Sequence, residues 1–253
     1  MGDFAPRPGA APVGRIVLGQ AVLETRLLLR NGEQVLLTIV VPALLLALFS
    51  VVPVIDVGTA RRVDFLAPGM LALAMLSTSF TGQAIATGYD RRYGVLKRLG
   101  ATPLPRWGLV VAKTASVLAI EVVQVALLVA IAKALGWSPQ PAAAPAALLL
   151  VLGTAAFSGL GLLLAGTLRA EATLALANLL FLLLLLAGDV IVPLSRFPAG
   201  LAGALRLLPI TALSDGLRAV LQQGAPLPLG DTVTLAVWAV GAIAAAGLTF
   251  RWE

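Results

Sequence analysis

Six long apolar runs constrain this chain more than any other feature. Val35–Val54, Phe65–Thr87, Leu109–Leu135, Ala146–Leu168, Ala172–Val192 and Thr232–Phe250 each reach 19 residues or more. About 20 apolar residues in a helix cross about 30 Å of hydrocarbon, and a helix satisfies its own backbone polar groups there. Charged residues make up 12% of the chain, half of the roughly 25% usual in soluble domains. The expected fold class is an all-α polytopic membrane protein with six transmembrane helices. The remaining length provides loops but no sizeable water-soluble domain.

The segments outside the spans differ in character. Residues 1–12 are rich in Pro and Gly and read as a disordered tail; no apolar run follows the start, so no signal peptide is expected. Residues 13–34 read as an amphipathic helix. On a helical wheel Arg15, Arg26 and Arg30 cluster on one side, with Leu18, Val22, Leu27 and Leu29 elsewhere. Such a helix lies in the headgroup region with its basic face toward anionic lipid, or simply leads into the first span. Residues 35–253 then form the six-helix transmembrane domain. With the N-terminus inside, eleven basic residues fall on the cytoplasmic side and five outside, leaving out Lys113 and Lys133 near span ends. The positive-inside rule therefore sets both termini in the cytoplasm. The excess of Lys and Arg over Asp and Glu, 18 against 12, is loop charge of this kind and not a nucleic-acid footprint.

Several chemistries are excluded. The chain has no Cys and no His, which removes thiol catalysis, disulfides and zinc or haem sites built on those residues. None of its three lysines follows a glycine, so there is no phosphate-cradling P-loop. No G-x-S-x-G nucleophile elbow occurs. Glu121 and Asp189, the acids within spans, fall at different depths, which argues against a paired-carboxylate site. No catalytic residue, metal ligand or cofactor is assigned to this chain.

Polar residues inside the spans are the candidates for function, because charge at mid-span costs roughly 2.5–3.5 kcal/mol on insertion scales. Glu121 and Gln124 share a helical face. They form either a polar patch in a translocation path, suited to a cationic amphiphile, or a hydrogen-bonded tie between helices. Asn178 has the same two readings, and so does the Ser77–Gln83 polar cluster of the second span. Asp189 falls at the outer rim, within reach of the long loop 193–231. That loop carries two short amphipathic helices: Pro198–Leu208, ended by Pro209, then a set marked by Leu213, Leu217, Val220 and Leu221, with Asp215 and Arg218 as an i, i+3 pair. Ala155/Gly159, Gly161/Ala165 and Gly241/Ala245 are small-x-x-x-small pairs that predict close helix approach.

The other long loop, 88–108, is cytoplasmic on this orientation and reads YDRRYGVLKRLGATPLPRW from Tyr89. Tyr89–Leu99 suits a short surface helix with Leu96 and Leu99 inward and Arg91, Arg92, Lys97 and Arg98 toward water or a partner. Gly100 stops it, and Pro103 and Pro105 prevent continuation. This stretch resembles the coupling segment of ABC-2 type transporter permeases, especially those of the daunorubicin-resistance kind. Asp90 and Arg91 stand where that family often has Glu-Arg. Gly94, Leu96, Lys97 and Arg98 stand at its Gly-x-Leu-basic positions, and Ala101, Thr102, Pro103, Pro105, Arg106 and Trp107 match its closing stretch. Arg92 departs from the pattern, occupying a position that is often a second acid. Pro193, Phe197–Pro198 and Leu208–Arg218 resemble the family's external re-entrant hairpin before the last span.

The resemblance covers nearly the whole chain. It implies the permease subunit of an ATP-driven exporter in the bacterial plasma membrane, moving hydrophobic or amphipathic compounds outward, as in multidrug efflux. ATP and Mg would sit on a separate ABC ATPase that docks on Tyr89, Asp90, Arg91, Arg92, Tyr93, Gly94, Leu96, Lys97 and Arg98. A second permease subunit and membrane lipids would complete the assembly. Export of a lipid-linked polysaccharide or other envelope lipid is the nearest alternative. A non-transporting membrane scaffold is the alternative from another class. A secondary transporter would show internal repeats and paired coupling acids, and the sequence has neither.

Overall fold

The computed structural model describes residues 11–52 and 61–249, which are helical throughout apart from short connections. The expected tail over 1–12 lies outside the described residues, except for Ala11 and Pro12. Helix α1 (Val13–Arg30) ends at Asn31 and α2 (Gly32–Val51) begins at once. Next come α3 (Arg62–Met75), a π-helical stretch (Leu76–Gly82) and α4 (Gln83–Arg92), which run on as one helix of 31 residues. A turn leads to the six-residue α5 (Val95–Gly100). Helices α6 (Arg106–Ala134), α7 (Ala143–Thr167) and α8 (Ala170–Ala187) follow. A 3₁₀ turn (Leu194–Arg196), α9 (Ala199–Leu205), α10 (Pro209–Leu221) and α11 (Leu229–Thr249) complete the chain.

The chain is an all-α polytopic membrane protein. Among the described residues five helices, against the six spans expected, are long and apolar enough to cross a bilayer: the α3–α4 unit, α6, α7, α8 and α11. Helix α2 adds a shorter apolar stretch, Thr38–Val51. The molecule has two unlike ends, one carrying α5 and the other carrying α9 and α10.

The α3–α4 unit is the centre of the bundle. Every residue from Phe65 to Leu76 is buried, against α2, α6, α7 and α10. At about 1.5 Å per residue the unit is about 46 Å long, more than the hydrocarbon thickness. It therefore outruns the expected span 65–87 and carries Tyr89–Arg92 as its last turn. The π stretch has a local cause. The Thr78 hydroxyl donates to the Ala74 carbonyl at 3.0 Å, and the Ser79 hydroxyl donates to the Met75 carbonyl. Both compete with the backbone N–H groups for those carbonyls and loosen the ladder.

Small residues set the closest helix crossings. A Cβ on Gly159 would stand 2.7 Å from the Ile243 backbone nitrogen, so α7 and α11 meet backbone to backbone. A Cβ on Gly161 would stand 2.8 Å from the Phe80 carbonyl oxygen, in the π stretch. The third small pair behaves otherwise: Gly241 faces open space, and α11 meets α7 through Ala242 and Ile243.

At the α10 end, α9 exposes most of its surface, while α10 is buried along almost its whole length. Ile210, Leu213, Leu217 and Val220 are fully buried in the main core. The sequence expectation of one helix over 198–208 is corrected here. The chain turns at Arg206–Leu208, and Pro209 occupies the first turn of α10, where a missing N–H is harmless. A second, smaller core at the α5 end joins Leu96 and Leu104 to Leu109, Val110, Leu162 and Ala246.

Candidate functional site

The basic segment after α4 is two pieces, not the single surface helix expected over Tyr89–Leu99. Tyr89, Asp90, Arg91 and Arg92 belong to α4, and Gly94, with φ of 71°, reverses the chain into α5. The left-handed conformation at Gly94 is disfavoured for a residue with a Cβ. Tyr89 and Tyr93 stack with ring centroids 6.1 Å apart. Leu96 is fully buried and pins α5 to the smaller core, while Tyr93, Lys97 and Arg98 are exposed. The Arg98 guanidinium donates to the carbonyls of Tyr93 and Gly94, holding the turn.

The charged residues of α4 turn inward or sideways. Arg91 donates to the carbonyls of Ala165 and Leu168 at 3.4 and 3.2 Å, capping the end of α7. Arg92 pairs with Glu171 in the first turn of α8. Asp90 accepts from Lys113 of α6 at 2.9 Å, and the same ammonium donates to Glu24 of α1 at 3.1 Å. Lys113 is 4% exposed. One buried cation thus joins α1, α4 and α6.

In the sequence Lys113 is only a charge near a span end, and nothing in the spacing singles out Glu24 as its partner. The available signal was the presence of a lysine within an apolar run, which demands an acid from a neighbouring element. The same ion triad orients α1. Its inward stripe is Ile16, Val17, Gln20, Ala21 and Glu24, whereas Arg15, Arg26 and Arg30 and the leucines 18, 23, 27 and 29 all face outward.

Between α2, the α3–α4 unit and α8 lies an open groove of about 800 Å³. Its polar lining includes Asn31 between α1 and α2, Thr38 from α2, Ser77 and Thr81 from the π stretch, and Asn178 from α8. Val41, Ile85 and Phe181 supply apolar walls, and Tyr89, Asp90 and Tyr93 close the end nearest α5. Asn178 donates from its amide to the Leu174 carbonyl one turn back on α8, at 2.8 Å. Half of the Ser/Thr cluster therefore lines a groove, while Thr78 and Ser79 bond helix backbones.

Glu121 and Gln124 lie elsewhere. Gln124 is fully buried; its amide donates to the Thr38 carbonyl at 2.7 Å, and its oxygen accepts from the Thr78 hydroxyl at 3.1 Å. That bond repairs a defect: Pro42, inside α2, has no N–H to give the carbonyl four residues back, which is that of Thr38. Glu121 faces α7 instead, where it accepts from the Thr154 hydroxyl.

Asp189, two residues past the end of α8, has a left-handed conformation, with φ of 55°. It caps the following turn by accepting from the Leu194 N–H at 2.6 Å, and it pairs with Arg218 of α10. Arg218 also donates to the Asp189 carbonyl at 2.7 Å and to Asp215 at 2.9 Å, and its guanidinium lies 3.9 Å from the centre of the Phe65 ring. Burial, with the Asp189 carboxylate beside it, pushes Asp215 up to about 8 against the pull of Arg218. The i, i+3 pair expected at Asp215 and Arg218 is thus part of a buried cluster that locks the hairpin to α8. Among the described residues no cluster of acids could hold a metal ion.

A family model described as ABC-2 type transporter matches residues 21–221, from the middle of α1 to the end of α10. No curated protein matches the chain.

Proposed function

Because the chain belongs to the ABC-2 type transporter family, we propose that it is the permease of an ATP-driven exporter for hydrophobic or amphipathic compounds in a bacterial plasma membrane. That it is a permease subunit of an ABC transporter follows from the family itself, as does association with an ABC ATPase in general. The observation that carries the finer reading is the groove between α2, the α3–α4 unit and α8. It sets hydroxyl and amide groups among apolar walls, the mixture that an amphipathic solute requires, and it ends on Tyr89, Asp90 and Tyr93. A second permease subunit closes the open side, so that each copy contributes half of the path.

The ATPase binds the α5 end, which is cytoplasmic, through exposed Tyr93, Lys97 and Arg98 and the outer face of α1. ATP and Mg are held by that partner. A displacement of α5 passes through Gly94 into α4, whose last turn is groove wall, and through Lys113 into α1 and α6. The helices then rock between two packings. ATP drives the change only as far as its affinity differs between the two states.

The test is to pull the tagged chain from its native membrane and assay ATP hydrolysis beside Gly94→Pro and the double variant Lys97→Glu/Arg98→Glu. A co-purifying ATPase that the wild type retains and these variants lose supports the reading. A chain that purifies alone, with no hydrolysis, refutes it. Asn178→Leu should keep the ATPase and lower substrate-stimulated hydrolysis. Unchanged stimulation by every amphiphile tried would remove the groove from the path.

A further inference from the structure

Glu121 points to a second site, one turn along α6 from Gln124 and directed at α7 rather than at α2. The residue is 97% buried; one carboxyl oxygen accepts from Thr154, the neighbouring Ser79 hydroxyl gives its hydrogen to the Met75 carbonyl, and Oε1 has no hydrogen-bond partner. Buried polar atoms are rarely left so, and a buried carboxyl group with an unmet oxygen is a costly arrangement. The group lines a groove of about 270 Å³ between α6 and α7, near the low end of the volumes of small-ligand sites. Every other wall is apolar except the Thr154 hydroxyl, with Met75 at the floor and Leu118, Val125 and Leu150 along the sides. The rim residues Val122 and Val151 are 69% and 47% exposed, so the groove opens sideways from the bundle.

Glu121 falls near the middle of α6 and Thr154 near the middle of α7, which sets the mouth at the depth of the hydrocarbon. Water cannot serve as the missing partner from that side, because the mouth faces acyl chains. We propose that the groove between α6 and α7 binds a primary-amine amphiphile entering laterally from the bilayer, its ammonium donating to Glu121 and its alkyl chain lying along α6 and α7. The choice of an amine over a neutral donor rests on charge. An ammonium makes a charge-assisted hydrogen bond and compensates a buried carboxylate, whereas an alcohol supplies only the hydrogen bond. The apolar walls match an alkyl body, and the single acceptor fixes the head. The site is separate from the groove lined by Asn178 and shares no residue with it.

The experiment uses the full chain in phosphatidylcholine nanodiscs and a twelve-carbon primary amine carrying a diazirine on its alkyl chain. The matched alcohol serves as comparison, and labelled peptides are mapped by mass spectrometry. The wild type should be labelled on 118–126 and 147–154 at least tenfold above the other lipid-facing helices, by the amine and not by the alcohol. Glu121→Gln should lose at least tenfold of that labelling. Val122→Trp, a change at the exposed rim that leaves the carboxyl group and its Thr154 bond in place, should block the groove to the same extent while the fold is kept. Asn178→Leu should leave the labelling within twofold of wild type. Labelling spread evenly over all lipid-facing helices, equal labelling by amine and alcohol, or retention of the label in Val122→Trp would each overturn the proposal. None of these outcomes bears on whether the chain co-purifies with an ATPase.

Discussion

Replacing Gln124 by Leu tests the logic of the bundle most sharply, because the structure supplies both the lesion and its repair. The substitution keeps a side chain of similar reach in a fully buried position but removes the donor to the Thr38 carbonyl. The Thr78 hydroxyl loses little, since its one hydrogen can still go to Ala74. The cost is therefore that of one hydrogen bond to the Thr38 carbonyl, which the Pro42 nitrogen cannot replace. Buried unpaired polar groups cost about 1–3 kcal/mol. Hydrogen bonds between membrane helices are worth about 0.6 kcal/mol on average and about 1.7 at most, because the unfolded helices also find partners. An effect of about 1–1.5 kcal/mol lies in the overlap of these ranges. The Thr38 carbonyl takes its bond from Gln124 because Pro42 has no N–H to give it. In a Pro42→Ala background the helix supplies its own donor, and Gln124→Leu should then cost about 0.5 kcal/mol or less, a coupling of about 1 kcal/mol. Reversible unfolding of the four proteins in mixed micelles by added sodium dodecyl sulfate measures this cycle. If Gln124→Leu costs the same in both backgrounds, to within about 0.3 kcal/mol, the assigned role of Gln124 is refuted.

The ion pairs at the α5 end should behave in opposite ways. Lys113→Met strands Glu24 and Asp90 beside one another and should destabilise the protein by about 3 kcal/mol, with faster hydrogen exchange along α1; exchange unchanged from wild type would show that α1 is held otherwise. Glu171→Ala removes an exposed pair with Arg92 and should change stability by less than about 0.5 kcal/mol in the same unfolding assay. Asp215 titrates in the folded protein near 8, above its unfolded value, so the folded state favours its neutral form. Its contribution is complete below the unfolded value and is lost as pH rises through about 8. Thermal unfolding across that window should therefore fall more steeply with pH in wild type than in Asp215→Asn; equal slopes would place the titration elsewhere. Gly159→Val forces a side chain into the α11 backbone and should cost about 1–3 kcal/mol, whereas Gly241→Val, facing open space, should be near neutral; equal effects in unfolding would remove the α7–α11 crossing as the cause.

The spans were legible in the sequence because the bilayer imposes a local requirement: about 20 apolar residues in a row are needed wherever a helix crosses. The same holds for punctuation. Gly100, Pro105 and Pro209 act within one turn of chain, and breaks fall at them, whereas the reversal at Gly94 falls inside what the sequence suggested as one helix. Helix extents were less legible. The α3–α4 unit runs on to Arg92 because helical hydrogen bonds do not stop where hydrophobicity does, and the charged last turn is held by capping α7 and by Glu171 and Lys113.

What the sequence by itself determined about this protein is its class, five of the six expected spans and the location of its basic segment, all set by contacts within a few residues. Which polar residues meet was decided by tertiary structure alone. Glu121 and Gln124 sit three residues apart on one helix, yet one faces α7 and a lateral groove while the other mends α2. Lys113 finds Glu24 89 residues away, and Arg218 finds Asp189 29 residues away. Hydrophobic periodicity gives the face of a helix but not its neighbour. In a bundle whose helices are apolar nearly all round, it is the small residues that let backbones approach, and the unmet polar groups they enclose, that select the neighbour.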